Sequence, residues 1–160
     1  MSRRTKLILG VVWLLAMGGL LLWVFRPERL SGEEQIRAAL DRVERGIEQG
    51  KSGDVLGVVA HDYSDSQGMT YDAIRDGLLY AFRHHASFDI VLAVKSLQIE
   101  GDTATVQTHV KATAVWGRND AVPYEADVIL TFEHKPAGWR CINAEGWHKM
   151  EWGIQEQGGL

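Results

Sequence analysis

The sequence predicts an α+β domain carried behind a membrane-spanning helix. Three observations lead there. Residues Leu7 to Phe25, LILGVVWLLAMGGLLLWVF, run for 19 residues without a charge. Segments with helical spacing of apolar side chains follow, between Glu33 and Ala86. From Ser87 onward the pattern changes to alternation, in four runs separated by turn-forming residues. Helices grouped first and strands grouped later point to helices on one face of a curved antiparallel sheet, not to alternating βαβ units.

The apolar run, as a helix, is roughly 28 Å long and matches the ~30 Å hydrocarbon core of a bilayer. It exceeds the roughly 7–15 apolar residues of a signal peptide, and the RPERLS that follows holds no small-x-small cleavage site. Arg3, Arg4 and Lys6 precede it; Arg26 and Arg29 follow, offset by Glu28, Glu33 and Glu34. The positive-inside tendency then places the N-terminus in the cytoplasm and the domain outside it, as a single-pass protein of the inner membrane with a periplasmic domain. SRRTK also has the arginine pair of a twin-arginine export signal, but lacks the bulky apolar residue that should soon follow it. The expected organisation is an anchor at 1–26, a linker at 27–31, a folded domain at 32–150 and a tail at 151–160.

Residues 31–160 contain 12 Lys or Arg against 20 Asp or Glu, a net charge of −8. An acidic domain repels phosphate backbones, which argues against nucleic acid as a partner. Cys141 is the one cysteine, so no internal disulfide and no cysteine-based zinc site can form. A domain of this length buries enough apolar surface to fold without such staples. Neither a metal nor a cofactor is expected.

Element by element, EEQIRAALDRVERGIEQG reads as a first helix. Ile36, Ala39, Leu40, Val43 and Ile47 share a face, Ser31 or Gly32 caps the start, and Gly50 ends it. SGDVLGVVAHDY reads as a second, short helix with Val55, Leu56, Val58 and Val59 inside. Residues 71–86 form a third, capped by Thr70, with Ile74, Leu78 and Ala81 in line. In SFDIVLAVKSLQIEG the alternation of Phe88, Ile90, Leu92 and Val94 switches parity at Leu97 and Ile99, which predicts a bulge or burial on both faces. Gly101-Asp102 is a tight turn. The next strand, TATVQTHVKATAVWG, puts Ala104, Val106, Val110, Ala112, Ala114 and Trp116 on one face. YEADVILTFEH does the same with Tyr124, Ala126, Val128, Leu130 and Phe132, and WRCINAEGWH is the last strand.

The stretch HDYSDSQGMTYD tests a calcium reading. Asp62, Ser64 and Ser66 match positions one, three and five of such a loop, but Gln67 stands where glycine is needed and Ala73 where glutamate is needed. Asp65, Ser66 and Gly68 read instead as turn formers leading into the third helix. His84 and His85 close that helix, where histidine caps carbonyls or opposes the helix dipole.

The combination of DYSDSQGMTYDAIRDGLL, a hairpin-rich sheet and GWRCINAEGW resembles the nuclear transport factor 2-like superfamily over roughly residues 32–148, in particular its bacterial, membrane-anchored members of unassigned function. The resemblance implies a cone: a bent antiparallel sheet wrapped over helices, with a pocket at the open end. Core-parity groups able to line such a pocket are Tyr63, His85, Tyr124, Asn143 and Glu145, walled by Trp116, Trp139 and Trp147. The inner parity of 104–116 is apolar except for Thr108, where enzymes of the superfamily often carry an acid or histidine. The expected role is therefore a membrane-tethered, non-enzymatic binding or assembly domain, homodimeric through the open sheet face. Its partners would be a second copy, an envelope protein or a small apolar ligand. The alternative is a small-molecule isomerase, cyclase or dehydratase using the pocket for proton transfer.

Overall fold

A computed structural model describes residues 30–84, 86–116 and 121–147, without the side chains of Ala86 and Trp116. The expected span at 7–25, His85, the loop at 117–120 and the tail lie outside the described residues. Among the described residues no helix is long and apolar enough to cross a membrane. The described residues from Ser31 onward form one compact unit.

Helix α1, Gly32–Glu48, starts on a capping box. The Glu34 amide donates to Ser31 Oγ at 3.3 Å and the Ser31 amide donates to Glu34 Oε2 at 2.7 Å. These bonds hold the Glu34 carboxyl below its ordinary pKa. Its end is a Schellman motif: Gly50 sits at φ +66°, its amide donates to the Ile47 carbonyl, and the Lys51 amide reaches the Gly46 carbonyl at 2.7 Å. The apolar stripe read from the sequence is the buried one, with Ile36 and Leu40 in the core and Ala39 and Val43 against it. Helix α2, Ser52–Leu56, packs close to α1, where a side chain on Gly46 would meet Asp54 and Val55 at 3.0 Å.

Helix α3, Tyr71–Arg83, is capped by Thr70, whose hydroxyl accepts from the Ala73 amide. It stops three residues short of the range read from the pattern. His84 ends it, with Nδ1 2.8 Å from the Tyr80 carbonyl, so this histidine is a helix cap. No residue of α3 is fully buried. Ile74 lies against the core, while Leu78 and Phe82 are half-buried.

Four strands follow as an antiparallel meander in the order β1-β2-β3-β4: Ala86–Glu100, Thr103–Trp116, Val122–Lys135 and Gly138–Glu145. Gly101 turns β1 into β2 at φ +61°. The parity switch in β1 is a bulge: Val94 pairs with Thr108 and Ser96 with Gln107, leaving Lys95 as the extra residue. A second irregularity lies in β4, where Thr131 pairs with Asn143 but Phe132 with Cys141, leaving Ile142 extra. Bulges bend and twist a sheet, and these two curve it over α1.

Both edges of the sheet are occupied. On β1 the Leu92 amide donates to the Glu44 carboxylate of α1. On β4 the segment 58–64 runs alongside: Cys141 donates to the Val58 carbonyl, Ala60 to the Cys141 carbonyl and Ser64 to the Ile142 carbonyl. The core fills the concave side, from Ile36, Leu40, Val58 and Tyr63 to Val106, Val128, Phe132 and Trp139.

Candidate functional site

The loop before α3 is built around one carboxylate. Asp65 Oδ1 accepts the backbone amides of Gln67 at 2.9 Å and Met69 at 3.0 Å, which forms the turn. Its Oδ2 accepts the Tyr63 hydroxyl at 2.8 Å and the Trp147 indole N–H at 3.1 Å. The stretch is thus a turn feeding a helix, tied by its aspartate to the far end of the sheet. Burial, and then the bond to Asp65, push the Tyr63 hydroxyl above its ordinary pKa, so it acts as a donor and not as a base.

The eight pocket candidates do not gather at one place. Tyr63 and Trp147 meet on Asp65. Asn143 Nδ2 donates to the Ser64 carbonyl at 3.0 Å and so fastens the same loop. Trp139 is buried elsewhere, against Gly32 and edge-on to His134 at 5.2 Å. Glu145 is exposed and faces exposed Ile129 across the strands. Cross-strand partners share a face, so Asn143 opposite Thr131 and Glu145 opposite Ile129 stand on the outer face, not on the core parity. The extra residue Ile142 reverses the alternation between Cys141 and Asn143 and corrects that expectation. Tyr124, opposite Ala112, lines a hollow of about 420 Å³ together with Val91, Lys111, Pro123 and Glu125. Trp116 opposes Ala86 in the backbone register, and its side chain, like His85, is outside the description.

Two further inner groups are fixed by burial. Cys141 is buried, donates to the Asn143 carbonyl, and its thiol is pushed up to about 12, which keeps it unreactive at neutral pH. Thr108 is 1% exposed and its hydroxyl has no hydrogen-bond partner among the described residues.

The outer face carries a more organised set. Register alone places Ala93, His109 and Asp127 abreast, with Val91, Lys111 and Glu125 beside them. Asp127 Oδ1 accepts from Lys95 Nζ at 2.6 Å and lies 2.7 Å from His109 Nδ1. The other ring nitrogen of His109 lies 2.7 Å from Glu125 Oε1, and Lys111 Nζ is 3.7 Å from the same oxygen. The result is a ladder across three strands: Lys95, Asp127, His109, Glu125, Lys111. Both imidazole nitrogens face carboxylates, and only the imidazolium can donate to both. Lys95 first, and His109 second, hold the Asp127 carboxyl below the usual carboxylate range. Val91, 53% exposed, and Ile129, 40% exposed, lie on the same face. His109, Lys111, Glu125 and Asp127 fall on the parity opposite to the apolar one in their strands; the bulge that swings Lys95 to join them was detectable only as a parity break.

No protein-family profile and no curated protein matches the sequence. Solved structures do. A nuclear transport factor 2-like protein from Salmonella enterica aligns with TM-score 0.60 at 14% identity, over 78% of this chain and 96% of its own. A nuclear transport factor 2-like protein with a cystatin-like fold from Novosphingobium aromaticivorans aligns with TM-score 0.56 at 20% identity, over 82% and 86%. The fold is that of the nuclear transport factor 2-like proteins. A proposed Ca/calmodulin-dependent kinase II association domain from Exiguobacterium sibiricum shares it, with TM-score 0.61 at 17% identity over 74% and 94%. In this chain that fold is made of α1 and the curved four-strand sheet, with α3 packed against α2 and β1.

Proposed function

We propose that the chain is a membrane-tethered, non-enzymatic assembly domain that docks through the outer face of its sheet on a second copy of itself. The observation that carries this reading is the ladder from Lys95 to Lys111, flanked by the exposed apolar side chains of Val91 and Ile129. Nitrogen groups and carboxylates alternate along it. A second copy offset by one step then sets a nitrogen group against a carboxylate at each rung, which favours a specific register over non-specific adhesion. Strands β1 to β3, of 14 or 15 residues, give roughly 46 Å of length at about 3.3 Å per residue and roughly 10 Å of width at about 4.8 Å between strands, and β4 adds 8 residues. The face is thus roughly 600 Å², at the low end of the ~600–1,000 Å² per partner of a standard interface. The Exiguobacterium sibiricum protein that shares the fold is named as an association domain, which supports an assembly role. On the inner side, Tyr63 and Trp147 are committed to Asp65, which supports a structural role for them over proton transfer.

The charge-free run Leu7–Phe25 with its basic N-terminal flank supports the tether and, by the positive-inside tendency, an extracytoplasmic position for the domain at an inner membrane. The test is mass-resolved light scattering of the full chain in lipid nanodiscs. The wild type is expected as two copies per particle and Ile129→Lys as one. Single copies for the wild type, or persisting pairs for Ile129→Lys, would sink the reading.

A further inference from the structure

A second surface feature lies away from the ladder, at the foot of the Asp65 loop. At the β3–β4 turn a cleft of about 760 Å³ opens between that turn, the segment 59–62 and the start of α3. Its walls are mostly apolar: Leu56, Val59 and Ala60 on one side, Pro136 and Ala137 on the other. Four polar side chains that can donate reach it, from Arg140, Lys135, His61 and Tyr71. Asp62 is the carboxylate in the lining, and it is already held by Lys135 Nζ at 3.0 Å. Glu133 holds the same ammonium from the other side, so Lys135 is neutralised in place.

Arg140 is not. One of its nitrogens donates to the Trp139 carbonyl at 2.9 Å, and among the described residues no carboxylate pairs with it. A guanidinium has five N–H donors in a planar fork, so most remain for a ligand. The His61 and Tyr71 rings pack at a tilt of 45°, centroids 4.3 Å apart, and neither side chain shows a hydrogen bond among the described residues. In a domain with net charge −8, a cleft that offers donors and has its one acceptor occupied runs against the general balance. Gly53 adds to the space, since a side chain there would meet nothing within 4 Å.

We propose that this cleft binds a small amphipathic carboxylic acid, with Arg140 gripping the carboxylate and the Leu56–Ala60 and Pro136–Ala137 walls holding an aryl or alkyl body. The fork geometry of arginine matches a carboxylate in two parallel hydrogen bonds. The volume falls in the range of roughly 300–1,000 Å³ seen for small-molecule sites, and the apolar walls suit a hydrocarbon body better than a bare inorganic anion. Tyr71 presents its hydroxyl as a further donor, beside the ring of His61. This site is independent of the docking face, and either can fail without the other.

The experiment is equilibrium dialysis of the full chain in nanodiscs against radiolabelled 4-phenylbutanoate, with empty nanodiscs subtracted. Saturable binding is expected, weakened at least tenfold in Arg140→Gln and about threefold in Tyr71→Phe. Arg37→Gln, on the exposed face of α1, should bind as the wild type does. The neutral 4-phenylbutanamide should not compete. Absence of saturable binding, equal binding by Arg140→Gln, or competition by the amide would each overturn the proposal. Tyr71→Phe keeps the ring that packs on His61, so it reads the donor set even where Arg140→Gln perturbs the turn.

Discussion

Thr108→Val should make the domain more stable. Thr108 sits in the middle of β2 between Val94 and Val128, 1% exposed, with its hydroxyl unpaired among the described residues. A buried hydroxyl without a partner costs about 1–3 kcal/mol. Valine replaces it with a methyl of nearly the same shape and keeps the β-branched geometry that suits a strand. The expected gain is about 1–2 kcal/mol, which for a domain of this size raises the melting temperature by roughly 4–8 °C. Urea unfolding of residues 31–160, followed by circular dichroism, measures it: the midpoint should rise with the slope unchanged. Thr105→Val, on the exposed face of the same strand, is the control and should stay within about 0.5 kcal/mol of wild type. A Thr108→Val domain that is equally stable or weaker would show that the hydroxyl is satisfied, and the reasoning from its burial would be wrong.

Three other perturbations follow from the same geometry. Gly146→Ala should cost at least about 2 kcal/mol in thermal melts, because Gly146 adopts φ +85° and a Cβ there would lie 2.4 Å from the Asp127 carbonyl oxygen. Asp65→Asn replaces an acceptor oxygen that serves two donors with an amide that cannot accept; a loss of about 1–3 kcal/mol and a shift in Trp147 fluorescence are expected. Asp127 has a folded-state pKa depressed below its unfolded value, so its contribution is present above the unfolded pKa and fades as pH falls through the folded one. Asp127→Asn should therefore be less stable than wild type at neutral pH, with the gap closing as pH falls below the ordinary aspartate value of 3.8 and through the lower folded one.

The helices were legible because caps and stripes are local. Ser31, Glu34, Gly50 and Thr70 each act within a few residues of themselves, and Ile36 and Leu40 needed only the 3.6-residue period. The strand parities of β2 and β3 were legible for the same reason. What escaped was what a bulge decides. One extra residue at Ile142 turned Asn143 and Glu145 to the outer face, and the eight residues of β4 are too few for their alternation to show the insertion. The bulge at Lys95 was visible as a parity break, but not that it would bring an ammonium to Asp127. Asp65 read correctly as a turn former; its grip on Trp147, 82 residues later, has no sequence signature. Arg140 was visible only as part of a Gly-Trp-Arg opening of the last strand, because its lack of a partner is a property of space and not of spacing.

The central claim is that the outer sheet face meets a second copy. A photo-crosslinking amino acid placed at Val91, in the full chain held in membranes, tests it most directly. Irradiation should yield a crosslinked pair of chains, and the same probe at Gln67, in the loop held by Asp65, should not. Single chains only from Val91, or pairs formed equally from both positions, would contradict the account.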